Sequence, residues 1–373
     1  MRKEKICLSG ALKGRDNNLN LIRFCAATMV LVAHSFTIVT GDAFLEPFSS
    51  SIHKSIGSIA VDIFFFISGM LITSSLIHSP DYTRYAISRV LRIFPALFVA
   101  NIITVLLLGP ILTNRSFFEY LEEGSWLTYI IKNTSLFLGI QYQLSDLFDF
   151  APYSSVVNGS LWTLPYELKM YCSIALLFAI CSYMEFRERE RTLVYLVAII
   201  SVASFFYLLA DIFLPDTAVP YWKGGRLVFM FFVGALVFLC RDKIVLSSRT
   251  FSISIVALLL SLSVSELFLS VYLIVIPYII LVIAYVPKGK LIYFNKLGDF
   301  SYGLYIFAFP VQQTLIFLWP GISIAEMVMG SFFFTLIMAI LSWHLVEKPC
   351  LSKRNLFYGL IKKRVFKRNA PSW

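Results

Sequence analysis

The sequence predicts an all-α, polytopic membrane helix bundle of about ten transmembrane helices, with both termini in the cytoplasm. Three observations predict it. The first is composition: of 373 residues, 58% are hydrophobic and only 14% charged, with a mean hydropathy of +0.77, whereas a soluble domain carries about 25% charge. The second is a series of apolar runs near the twenty residues a spanning helix needs. The third is the distribution of the 32 lysines and arginines. Together they exclude a disordered chain, a coiled coil and an ordinary cytosolic enzyme. The formal net charge of +10 reads as positive-inside bias rather than as a nucleic-acid footprint, so no nucleic-acid partner is expected.

The runs lie at 19–40, 57–78, 93–112, 165–183, 192–214, 224–240, 250–268, 269–286, 299–319 and 325–345. The stretch 127–141 is shorter and carries Lys132, so it reads as an interfacial or re-entrant segment. With the N-terminus inside, segments 1–18, 79–92, 184–191, 241–249, 287–297 and 346–373 face the cytoplasm and hold 25 Lys and Arg. The outer segments 41–56, 113–164, 215–226 and 320–324 hold 5. Counting 127–141 as a span would invert everything after it and spoil that ratio. The domain reading is a cytoplasmic N-terminal segment 1–18, a membrane domain 19–347 and a basic cytoplasmic tail 348–373. In the tail, Lys353, Arg354, Lys362, Lys363, Arg364, Lys367 and Arg368 alternate with Leu, Phe and Ile. This reads as a surface helix on anionic membrane lipids. Asn114, Asn133 and Asn158 each open an N-x-S/T sequon in the long outer segment.

Ionisable side chains inside spans are functional candidates, because charge is expensive in a bilayer. Arg23 and His34 share the first span. Eleven residues make about three turns and a rise of about 16 Å, so the two point to nearly one face. Asp62 lies about a turn inside the second span, where it either orients His34 by a hydrogen bond or pairs elsewhere. Arg89 and Arg92 precede the third span at i, i+3, with Pro95 expected in that span's first turn. Two guanidiniums beside a helix N-terminus suit phosphate, and they equally suit plain anchoring at the inner surface. Glu167 opens the fourth span, with Lys169 as a possible partner. Polar side chains recur late, in the segment containing Ser301, Tyr302, Tyr305, Gln312 and Gln313. No histidine or cysteine pair has metal-ligand spacing, so no metal is expected.

Taken in order, these pieces resemble the acyltransferase-3 family of integral-membrane O-acyltransferases. Arg23-x10-His34 is similar to the family's first-helix motif. The block GSIAVDIFFFISGMLIT is similar to its second-helix motif, and Arg89-x-x-Arg92 to its R-x-x-R segment. NGSLWTLPYELKMY, DFSYGLYIFAFPVQQ and HLVEKP resemble its later motifs. Two positions depart: Ala308 stands where many members carry His, and Met70 where Phe is usual.

The resemblance implies transfer of an acetyl group from acetyl-CoA to a hydroxyl of a surface or lipid-linked glycan, such as lipopolysaccharide O-antigen or exopolysaccharide. The implied location is a bacterial inner membrane. His34 would be the general base, with Asp62 or Glu167 orienting it or binding the sugar. Arg23, Arg89 and Arg92 would bind the anionic acetyl-CoA. The alternatives are a transporter or flippase of a lipid-linked sugar, or a small-molecule O-acyltransferase.

Overall fold

The computed structural model describes residues 6–14, 16–214 and 223–368. Side chains of Phe186, Arg187, Lys223 and residues 364–368 are outside the description. So are Arg15, the first five residues, most of the outer segment 215–226 and the last five residues of the tail. Apart from a two-residue ladder, the described residues form helices, joined by turns and loops. Among the described residues, eight helices are long and apolar enough to cross a membrane. Two shorter apolar helices, Gly224–Leu239 and Ser248–Ser261, occupy the other two expected positions.

The chain folds into two compact units. The first comprises Met1–Ser74 and Thr163–Ser301, the second Ser75–Trp162 and Tyr302–Trp373. The sequence division at 18 and 347 follows charge and hydropathy. The division in space instead interleaves two chain segments in each unit.

In the first unit, α1 (Leu19–Thr40) ends on Gly41 at φ 76°, a left-handed cap that glycine adopts without a Cβ penalty. Helix α2 (Ile56–His78) enters this unit as far as Ser74. Across the chain lie α6 (Leu164–Cys181), α7 (Phe186–Phe213), α8 (Lys223–Leu239), α9 (Ser248–Ser261) and α10 (Ser265–Tyr285). The remaining labels, α3 (Tyr82–Ile103), α4 (Phe117–Glu123), α5 (Ser125–Ser135), α11 (Ser301–Leu318), α12 (Ile324–Ser342) and α13 (Arg354–Arg368), belong to the second unit.

Two glycines set the closest approach in the first unit. A Cβ on Gly69 of α2 would strike the Phe231 carbonyl of α8, and one on Gly234 of α8 would strike the Phe66 carbonyl of α2. The backbones touch because neither residue has a side chain, which is how spanning helices gain packing without a hydrophobic drive. Helix α9 has 14 residues, about 21 Å at 1.5 Å per residue and short of a ~30 Å hydrocarbon core. Its end at Ser261 moves the α9–α10 turn ahead of the expected 268/269 boundary.

Segments expected on one side of the membrane meet physically. Strand β1 (Ile6–Cys7) pairs antiparallel with β2 (Val245–Leu246). The Asn18 amide side chain donates to the Pro287 carbonyl at 2.9 Å, and that of Asn295 to the Asn17 carbonyl at 2.6 Å. Segments 1–18, 241–249 and 287–297 therefore gather at one end of this unit.

In the second unit, α3 begins at Tyr82, where the Asp81 side chain accepts from the Arg84 amide at 2.9 Å. Arg89 and Arg92 are therefore well inside the helix, and Pro95 lies in its interior rather than in its first turn. This corrects the expected helix-end phosphate site: the amides beside both arginines are already bonded within the helix. The tail helix α13 returns to the same corner, where Tyr358 donates to Asp81 and Arg84 to Asn355. That hydroxyl bond holds the Asp81 carboxyl below its ordinary range.

Helix α5 has 11 residues, about 16 Å, and does not span. It is strapped to the following turn by two bonds of 2.8 Å between the Asn133 side chain and Gln141 backbone. Asn133 and Asn158 are buried while Asn114 is exposed, so two of the three sequons are closed to modification in the folded chain.

Candidate active site

Arg23, His34, Asp62 and Glu167 fall in the first unit, and Arg89 and Arg92 in the second. Arg23 and His34 lie on α1, and His34 is half-buried. The Arg23 guanidinium donates to Asp299 at 2.6 Å and lies 6.0 Å from the Phe64 ring centre. Asp299 in turn accepts the Ser301 hydroxyl at 2.5 Å. The cation near one end of α1 is thus fixed in direction by Asp299 of its own unit.

Asp62, fully buried on α2, does not bond His34. One carboxylate oxygen receives Arg226 of α8. The other receives Lys54 at 2.9 Å and the Tyr272 hydroxyl of α10 at 2.9 Å. Lys54 is 5% exposed and its ammonium sits 4.2 Å over the Tyr272 ring. Burial lowers the Lys54 pKa to about 8, with the Arg226 charge adding to the shift and Asp62 opposing it. The expected hydrogen bond from Asp62 to His34 is therefore absent, because two cations and a phenol already claim the carboxylate. Arg226, counted from the sequence as an outer-loop cation, is instead the ion-pair partner that a buried aspartate requires.

Glu167, in the first turn of α6, bonds the Tyr171 hydroxyl one turn on. Lys169 is exposed and lies 5.3 Å from the Tyr166 ring centre, and no ion pair joins it to Glu167 among the described residues.

In the second unit, Arg92 donates to Glu347 at 3.0 Å, and Glu347 is 1% exposed. The Ser342 hydroxyl donates to the other oxygen at 3.0 Å. The Arg92 guanidinium lies 5.6 Å from the Tyr302 ring centre, and the Tyr302 hydroxyl bonds the Ile93 carbonyl at 2.9 Å. A π-helical turn, Trp343–Glu347, presents Glu347 just ahead of Pro349. A proline ring clashes with the carbonyl four residues back, and the wider turn relieves that clash. A second π turn, Thr104–Leu108, stands in the same relation to Pro110. Arg92 therefore carries a charge already balanced, while Arg89 is half-buried three residues earlier on the same face.

Sequence reasoning missed Lys54, Arg226, Tyr272, Asp299 and Glu347. Lys54 reaches Asp62 across the start of α2, and the other four bond a predicted site residue from far along the chain. Only the rule that intramembrane charges come in pairs pointed to them.

The acyltransferase domain family matches residues 16–346. An "O-acetyl transferase" of Shigella phage Sf6 is 29% identical over 91% of this chain and 97% of its own length. "Nodulation protein 10" of Rhizobium leguminosarum bv. viciae is 28% identical over 94% of this chain and 97% of its own. No solved structure matches.

Proposed function

The chain belongs to the acyltransferase-3 family, and from that premise we propose that it is a multi-pass membrane O-acyltransferase moving an acetyl group from acetyl-CoA to a hydroxyl of a surface or lipid-linked glycan, in a bacterial inner membrane. The observation that carries the reading is the shared face of α1, where an anchored Arg23 stands three turns from His34. The relative named for O-acetyl transfer supports the acyl group. The Arg23 guanidinium suits an anionic donor, as does Arg89. Arg92, on the same face of α3, would add a second guanidinium to that side.

In this reading His34 takes the proton of the attacking hydroxyl as its oxygen bonds to the thioester carbon. The carbon–sulfur bond then breaks, and the imidazolium returns the proton to the departing thiolate. Glu167 and Asp62 act on the acceptor side, as hydrogen-bond acceptor and as the anchor of two cations. The gathering of segments 1–18, 241–249 and 287–297 at one end of their unit supports a common cytoplasmic side for them. The basic tail would then face anionic lipid.

The test is to incubate membranes holding matched amounts of wild type and His34→Ala with labelled acetyl-CoA, then isolate the glycan. Label with wild type and a loss of about 100-fold or more in the variant is expected. Label that persists in the variant removes His34 as base and keeps the reaction class. No label with either protein, on any glycan the host makes, sinks the proposal in favour of transport or a small-molecule acceptor.

A further inference from the structure

The first unit holds a cavity of 540 Å³ that no step above uses. It opens where the 43–58 segment, the end of α7 and the starts of α8 and α10 converge. Its size falls within the roughly 300–1,000 Å³ of small-ligand pockets. Its polar lining is mixed in sign. Lys54 and Arg226 contribute two cations, both turned toward the buried Asp62. Glu46 and Asp211 add two more carboxylates, and Ser49, Ser55 and Ser58 add hydroxyls.

This wall suits neither a phosphate nor a free cation. Its positive charges are held by Asp62, and the remaining carboxylates repel a second anion. What it offers is interleaved donors and acceptors, with Phe44, Leu269 and the Tyr272 ring as apolar surface. That pattern matches a ring carrying several neutral hydroxyls, each both donor and acceptor.

The cavity also adjoins the helix of the proposed base. The Thr37 hydroxyl of α1 donates to Glu46 at 2.8 Å. Thr37 follows His34 by three residues, so the two share a face and differ in height by about 4.5 Å.

We propose that this cavity is the acceptor subsite and that it selects an uncharged sugar residue over a uronic acid or a phosphorylated sugar. The assignment rests on the acyl-transfer reading above. Asp211 and Ser58 bind ring hydroxyls, and Glu46 sets the acceptor edge nearest His34.

The experiment uses the full-length protein in lipid nanodiscs, with methyl hexosides and the matching methyl hexuronides as probes. Binding is read by saturation-transfer NMR, and acceptor and donor KM are measured in parallel. The expected result is binding of hexosides but not hexuronides. Asp211→Asn should weaken hexoside binding about tenfold, the loss of one hydrogen bond to a charged group, and raise acceptor KM more than donor KM. Asp211→Lys should admit the hexuronide. Equal binding of both probe classes overturns the proposal, as does hexoside binding indifferent to both Asp211→Asn and Ser58→Ala. Acetyl label that reaches a glycan with an acceptor KM unmoved by these variants removes the subsite and leaves the enzyme reading standing. Hexoside binding that depends on Asp211, without any transfer of label, retains a saccharide site but overturns its role as acceptor subsite and the reaction with it.

Discussion

Among the described residues, each unit seals one carboxylate from solvent, and the two are treated differently. Asp62 is 0% exposed and receives two cations and a phenol, whereas Glu347 is 1% exposed and has Arg92 and the Ser342 hydroxyl among its partners. Arg92 and Glu347 meet as one charge of each sign. The convergence of two cations on Asp62 would be costly in a sealed interior. It is tolerated because Lys54 and Arg226 also line a polar cavity with two further carboxylates. A buried pair between helices reads as a clamp, and a buried carboxylate whose cations also line a cavity marks a wall that something is meant to approach.

The sharpest way to break this comparison is Asp62→Asn. It leaves Lys54 and Arg226 facing each other without their counter-charge, and a loss of about 3–5 kcal/mol is expected, read as a lower thermal midpoint of the detergent-solubilised protein. Glu347→Gln should cost about 3 kcal/mol in the same assay, because it leaves the Arg92 guanidinium without this counter-charge. Combining it with Arg92→Met should restore most of the loss, as the pair is then replaced by neutral groups. If Glu347→Gln proves the more damaging single change, the contrast fails.

Lys54→Met should cost less than about 1 kcal/mol, since Asp62 keeps Arg226 and the desolvation of an ammonium is relieved. The smallest effect is on pH dependence. With the Lys54 pKa at about 8 in the fold and 10.5 in a free lysine, the unfolded chain binds more protons between those values. Its contribution to stability therefore rises with pH across that window. Wild type should show this rise, and Lys54→Met should lack it.

The long helices were legible because an apolar run of twenty residues admits few other structures. Two boundaries were not. Helix α3 begins at Tyr82 rather than near 93, because its first turns are polar and hydropathy does not register them. Asp81, three residues before Arg84, was the capping signal that marked the true start. The α9–α10 turn at 262–264 lies inside a mostly apolar stretch, with Ser261, Ser263, Ser265 and Glu266 to mark it.

Within the site, Arg23 and His34 could be related because one helix fixes their geometry. The Asp62 partners could not be named in advance. Arg226 stands 164 positions away and Tyr272 stands 210, and spacing carries no information across such loops. The same distance hid Asp299 from Arg23 and Glu347 from Arg92.

The crossing of α2 and α8 has a consequence for genetics. Because Gly69 and Gly234 each lie against the other helix's carbonyl, every missense codon at either position forces the helices apart, alanine included. A screen for loss of activity will return these two codons alongside the His34 codon. A phenotype alone will rank them as equals. Only the amount of protein retained in the membrane separates an allele that removes a reacting group from one that denies two helices their meeting point.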